Sequence, residues 1–152
     1  MMTPEEKITQ LGLSLPPAPK PVGLYQPFVV SGKLAFLSGQ VSRDAEGKIL
    51  VGKVGKDLSL AEGKAAARLA ALNALSIMKH LIGFEKINRV VKMTGFVQTA
   101  PDFDEIPAVV NGASELLVEV MGDHGTHARS AVGMASLPMN AAVEIELVLE
   151  LK

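Results

Sequence analysis

Apolar and polar residues alternate most regularly at the end of the chain. Val143, Ile145, Leu147, Leu149 and Leu151 fall on one face, while Glu144, Glu146 and Glu150 fall on the other. A period of two marks a half-buried strand. Just before it, the stretch from His127 reads as a second extended run. The pattern predicts two strands joined by a short turn. Arg129 opens the first and Glu144 lies near the start of the second, so the two are expected to meet across paired strands.

Upstream, the pattern changes period. Thr3-Pro4-Glu5-Glu6 predicts a short helix: a hydroxyl cap, proline in the first turn, then acids near the positive end of the dipole. Gly12 and the run Pro16-Pro17-Ala18-Pro19-Lys20-Pro21 end it and predict an extended arm over the surface. Phe28-Val29-Val30 and Leu34-Ala35-Phe36-Leu37 flank Ser31-Gly32-Lys33 and predict a hairpin that ends at Ser38-Gly39-Gln40. Residues 41–59 read as a turn at 44–48, a candidate third strand at Ile49-Leu50-Val51, and an irregular glycine-spaced stretch.

Leu60 to Leu81 predicts a long alanine-rich helix, with Ser59 as cap, Glu62 completing a capping box, and Gly83 as the stop. Its inner stripe is Ala66, Ala70, Ala74, Ile77 and Leu81; small side chains there let it sit close to a sheet. Leu69, Leu72 and Leu75 point elsewhere and call for further cover. Arg89 to Thr99 predicts a central strand, with Val91, Met93 and Val97 on one face and Val90 and Phe96 on the other. Ile106 to Met121 predicts a second main helix, with Val109, Val110, Ala113, Leu116, Leu117 and Val120 inward. The whole is an α+β arrangement, two main helices on one face of a mixed sheet. The opposite face mixes glutamates with Val148, Val90 and Phe96. That is too apolar for bulk water and predicts association through that face.

The chain has 152 residues, enough for one domain with a real core. Aromatic residues make up only 4%, so the core must be aliphatic and closely packed. The net charge of −1 supplies no cationic surplus for a phosphate backbone, which counts against a nucleic-acid partner. The absence of cysteine excludes disulfides, thiolate metal sites and thiol nucleophiles. The first ten residues lack a signal peptide's apolar core, and no uninterrupted apolar stretch reaches membrane length. A cytoplasmic protein with no membrane partner is the expectation.

Few local motifs carry chemistry. Gly52-Lys53-Val54-Gly55-Lys56 lacks the Gly-Lys-Ser/Thr ending of a phosphate loop and reads as loop. His124 and His127 are expected to be solvated loop histidines, and no metal site is expected. Arg129 stands out by its surroundings. Arg-Ser-Ala-Val-Gly-Met-Ala-Ser-Leu, five residues, then Val-Glu-Ile-Glu resembles the signature of the YjgF/Rid family, the reactive-intermediate imine/enamine deaminases once called L-PSP endoribonucleases. Val22-Gly23-Leu24-Tyr25 is similar to that family's Ile-Gly-Pro-Tyr segment, Leu37-Ser38-Gly39-Gln40 to its Thr-Ser-Gly-Gln, and Val110-Asn111 to the opening of its second helix.

The resemblance implies a chorismate-mutase-like fold in residues 21–152, with residues 1–20 as an added helix and arm. It implies a homotrimer with a barrel-like centre and clefts between subunits. There Arg129 would clamp a substrate carboxylate and Glu144 would position or deprotonate the attacking water. Tyr25, Ser38, Gly39 and Asn111 would line the cleft, some from the neighbouring subunit. The reaction would turn small 2-imino or enamino acids into 2-keto acids and ammonia, with no metal or cofactor. A non-catalytic trimer that binds a small carboxylate is the alternative, and an endoribonuclease a third. Three departures mark a divergent branch: Ala131 where many members have cysteine, His127 where proline is usual, and a longer stretch at 41–59.

Overall fold

A computed structural model describes residues 1–20 and 23–152. Pro21 and Val22, the last proline of the arm and the first residue of the Val22–Tyr25 match, lie outside the described residues. The elements in chain order are α1 (Pro4–Gln10), β1 (Phe28–Ser31), β2 (Leu34–Leu37), β3 (Gln40–Val41), α2 (Leu60–Ile77), β4 (Ile87–Gln98), α3 (Ile106–Met121), β5 (Ala128–Met134) and β6 (Val143–Leu151).

Local chemistry sets the helix starts as the sequence predicts. Thr3 with Glu6 and Ser59 with Glu62 each close a reciprocal capping box, satisfying donors that a helix start leaves free. The arm lies on α2, where the buried Ser76 hydroxyl donates to the Pro16 carbonyl. Ile8 of α1 joins the same core as the sheet.

Among the described residues one mixed sheet runs in the order β1-β2-β6-β4-β5, with β3 also pairing β6. β6 is antiparallel to β2, β3 and β4, and its alternation is realised: Val143, Ile145, Leu147 and Leu149 are buried against the helices. The predicted pairing of the last two strands is not. β5 pairs parallel with β4, so β4 lies between β5 and β6. A parallel pair needs a crossover, and α3 supplies it. The eight residues 135–142 exceed a tight hairpin turn and carry the chain across β4 instead.

The smaller departures are shifts of phase. A bulge between Val90 and Lys92 puts Val90, rather than Val91, on the core side with Met93 and Val97. A π turn at Met78–Ile82 ends α2, leaving Leu81 41% exposed and burying Ile82. Ile49–Val51 makes isolated bridges rather than a strand, and Gln40–Val41 pairs with β6 in its place. In the glycine-spaced stretch, Val54 is buried and bridges Thr99.

Ala66, Ala70, Ala74 and Ile77 of α2 are buried, as is Leu75, which the wheel placed off the stripe. At the α2–α3 crossing a Cβ on Gly112 would collide with the Lys64 carbonyl oxygen. Only glycine permits so close an approach. Lys64–Glu115 and Arg68–Glu119 flank it as partly exposed pairs, worth little in stability.

The other sheet face is open. Val29, Phe36 and Val148 form one paired row, and Glu144, Phe96 and Val132 another. Val29 is 56% and Phe36 46% exposed, a partly apolar surface on the side away from the helices.

Candidate functional site

The predicted site residues form two groups on opposite sides of the sheet. Tyr25, Ser38, Gly39 and Glu144 line one cavity of about 310 Å³, together with Arg43 and Met139. Arg129 and Asn111 meet on the helix side. The expected meeting of Arg129 with Glu144 therefore does not occur within the chain. Arg129 is registered with Met93 on one edge of β4 and Glu144 with Phe96 on the other.

A change of register builds the first group. Phe36 pairs with Val148 and Gln40 with Ile145, so four steps along one strand match three along the other. The extra residue falls at Ser38-Gly39. Bulges of this kind re-aim side chains beside functional sites. Here the Glu144 carboxylate lies against the Gly39 backbone: a Cβ on Gly39 would stand 2.8 Å from its Oε2. The Ser38 hydroxyl donates to the Gln26 carbonyl, which leaves its oxygen free to accept. Burial, and then the neighbouring Glu146 charge, hold the Glu144 carboxyl above the usual range. A carboxylate with raised proton affinity is the better base toward water.

The cavity wall opposite is a strained turn. Met139 and Asn140 both have φ of +58°, the left-handed region that non-glycine residues rarely adopt. Gln98, 2% exposed on β4, holds this turn: its Nε2 donates to Asn140 Oδ1 at 2.7 Å and to the Gly52 carbonyl, and its Oε1 accepts from Leu137 N–H at 2.8 Å. Sequence reasoning missed Gln98, Met139 and Arg43. A glutamine inside an apolar strand was the available signal for the first.

In the second group Arg129 is held over α3. Its Nη1 donates to Asn111 Oδ1 at 2.8 Å and to Ser114 Oγ at 3.1 Å, and its Nη2 to the Pro107 carbonyl at 3.4 Å. Of five guanidinium N–H groups, two are left for a ligand. Ser114 in turn meets Nε2 of His127, so His127 is half-buried and bonded rather than solvated. Burial lowers its pKa, the bond to the Gly125 carbonyl opposes this, and the Arg129 charge adds to the lowering. His124 lies at the surface against the Asn88 carbonyl.

The two-layer α+β fold and these motifs coincide with a known family. Residues 5–151 match the model described as YjgF/chorismate mutase-like, putative endoribonuclease, and the chain belongs to this family. That match takes in α1 and the arm. Protein TCP17 of Trypanosoma cruzi is 42% identical over 95% of this chain and 91% of its own. The 2-iminobutanoate/2-iminopropanoate deaminase of Dermatophagoides farinae is 30% identical over 88% of this chain and 91% of its own. The crystal structure of Atu1372 from Agrobacterium tumefaciens, a protein described as of unknown function, superposes with a TM-score of 0.89 at 43% identity, covering 99% of this chain and 94% of that one. Among the described residues no helix is long and apolar enough to cross a membrane.

Proposed function

We propose that the protein hydrolyses small 2-imino acids to 2-keto acids and ammonia, at clefts completed between copies of the chain in a homotrimer. The observation that carries this reading is the split site. One chain offers a cavity with a base, Glu144, and a carboxylate-binding group, Arg129, on the opposite side of its sheet. Neither makes an ion pair among the described residues. The exposed apolar rows of the open sheet face supply a surface for association. The deaminase among the relatives supports the reaction class.

In such a cleft Arg129 and Asn111 of one copy hold the substrate carboxylate by charge-assisted bonds. Glu144 of the next copy takes a proton from water as its oxygen attacks C2 of the imine. Addition to the protonated imine gives a carbinolamine. Glu144 passes the proton it took from water to the amino nitrogen and then accepts the hydroxyl proton as the C–N bond breaks, releasing ammonia and the keto acid. Imines hydrolyse readily, so orientation and one base suffice.

The test is direct. An amino-acid oxidase or lyase generates the imine in the presence of wild type, Arg129→Ala or Glu144→Gln, and keto-acid release is followed. Wild type accelerates release and both variants do not. A wild type no faster than buffer overturns the reaction. A stable monomer in sedimentation overturns the shared cleft.

A further inference from the structure

We propose that Arg43 selects substrates carrying a second anionic group, so that the preferred ligands are dicarboxylic 2-imino or 2-keto acids rather than simple aliphatic ones. This rests on the imino-acid reading above and concerns the far end of the same substrate.

Arg43 is a built part of the cavity. The buried Asn73 of α2 donates to its carbonyl at 2.8 Å, fixing the backbone. Its Nη1 donates to the Gly47 carbonyl at 3.0 Å, and its Nη2 approaches the Met139 sulfur at 3.8 Å. A thioether is a weak acceptor and carries no charge. The guanidinium therefore lines the cavity with donors to spare and no carboxylate partner among the described residues.

The strained turn strengthens the case. Gln98 bonds to Leu137 and Asn140 on either side of the turn, in which Met139 is left-handed and its sulfur lies beside Arg43. Lys20 lines the same cavity, so the lining carries two cations against the single carboxylate of Glu144. A partly enclosed cation without a counter-ion favours an anionic ligand. The first substrate carboxylate is taken by Arg129, which lies on the other side of the sheet and reaches the cleft only from another copy. Arg43 is left to bind a different group. A planar guanidinium favours a carboxylate, held by charge-assisted bonds.

Calorimetric titration of the full chain tests this, with 2-oxobutanoate as the monocarboxylate and oxaloacetate and 2-oxoglutarate as dicarboxylates. Wild type binds a dicarboxylate about tenfold or more tightly than 2-oxobutanoate. Arg43→Gln removes that preference, bringing the dicarboxylate and 2-oxobutanoate affinities to within about twofold of each other. Arg43→Lys, which keeps the charge, retains part of the preference, separating charge recognition from loss of the Gly47 bond. Equal or weaker dicarboxylate binding by wild type overturns the proposal while leaving the reaction class standing. So does Arg43→Gln weakening both ligands equally, which would place Arg43 on the shared carboxylate. If wild type binds none of the three, this proposal falls, while the imino-acid reading is decided separately by the rate of keto-acid release.

Discussion

The hydroxyl of Ser114 lies 3.0 Å from Nε2 of His127. His127 Nδ1 stands 2.6 Å from the Gly125 carbonyl, which can only accept, so the proton sits on Nδ1 and Nε2 is an acceptor. Ser114 must then give its proton to His127 and turn a lone pair toward Nη1 of Arg129. The chain of bonds fixes the guanidinium before any ligand arrives. Ser114→Ala removes one neutral acceptor, and keto-acid affinity should fall roughly threefold to tenfold. Calorimetry on the folded variant reads this directly; unchanged affinity would mean that Asn111 and the Pro107 carbonyl position Arg129 without Ser114.

The same arrangement makes stability depend on pH. The folded pKa of His127 lies below its ordinary value of 6.5, so below that value the unfolded chain binds the proton more readily. The contribution of neutral His127 is present above pH 6.5 and lost as pH falls through the interval down to the folded pKa. Melting curves between about pH 7.5 and pH 5 should show wild type losing stability on acidification faster than His127→Gln. Parallel profiles would contradict the assignment.

Gly39→Ala tests how the base is placed. The new methyl would meet Glu144 Oε2 at 2.8 Å, and the end of a flexible side chain yields more easily than backbone. The fold should survive with a nearly unchanged melting temperature, while imine hydrolysis falls by about tenfold or more as the carboxylate is displaced. Full activity would show that the contact with Gly39 does not set the position of Glu144.

A mixing experiment addresses the split site. Arg129→Ala and Glu144→Gln are each expected to be inactive as pure proteins. Co-refolded in equal amounts, they form mixed assemblies in which some clefts receive an intact Arg129 from one copy and an intact Glu144 from another. Random mixing of two copies per cleft should restore about a quarter of wild-type activity. Recovery of none would place both groups in one chain's site, or outside the reaction.

Periodicity and end signals made much of the fold legible. The alternation from Val143 to Leu149, the α3 stripe and the Ser59–Glu62 box appear in the structure where the sequence predicts them. Phase was lost wherever one extra residue entered: the bulge near Val90, the π turn before Gly83 and the register change at Ser38-Gly39. None of these carries a distinct local pattern, because each is the adjustment that lets an element fit its neighbours. His127 misled for a similar reason. Its burial depends on Ser114, 13 positions away on another element.

The sequence by itself determined which faces of β6 and α3 meet the core, where the helices begin, and that Arg129 and Glu144 sit near the starts of two strands. Alternation encodes the face of a strand that is buried, but it is silent about the strand alongside. Only the tertiary structure decided that β4 separates the two. The α3 crossover makes β5 parallel to β4, and the loop across β4 sends β6 to its other edge. Arg129 is thereby drawn to the helix side by Asn111 and Ser114, while Glu144 is set against Gly39 in the cavity.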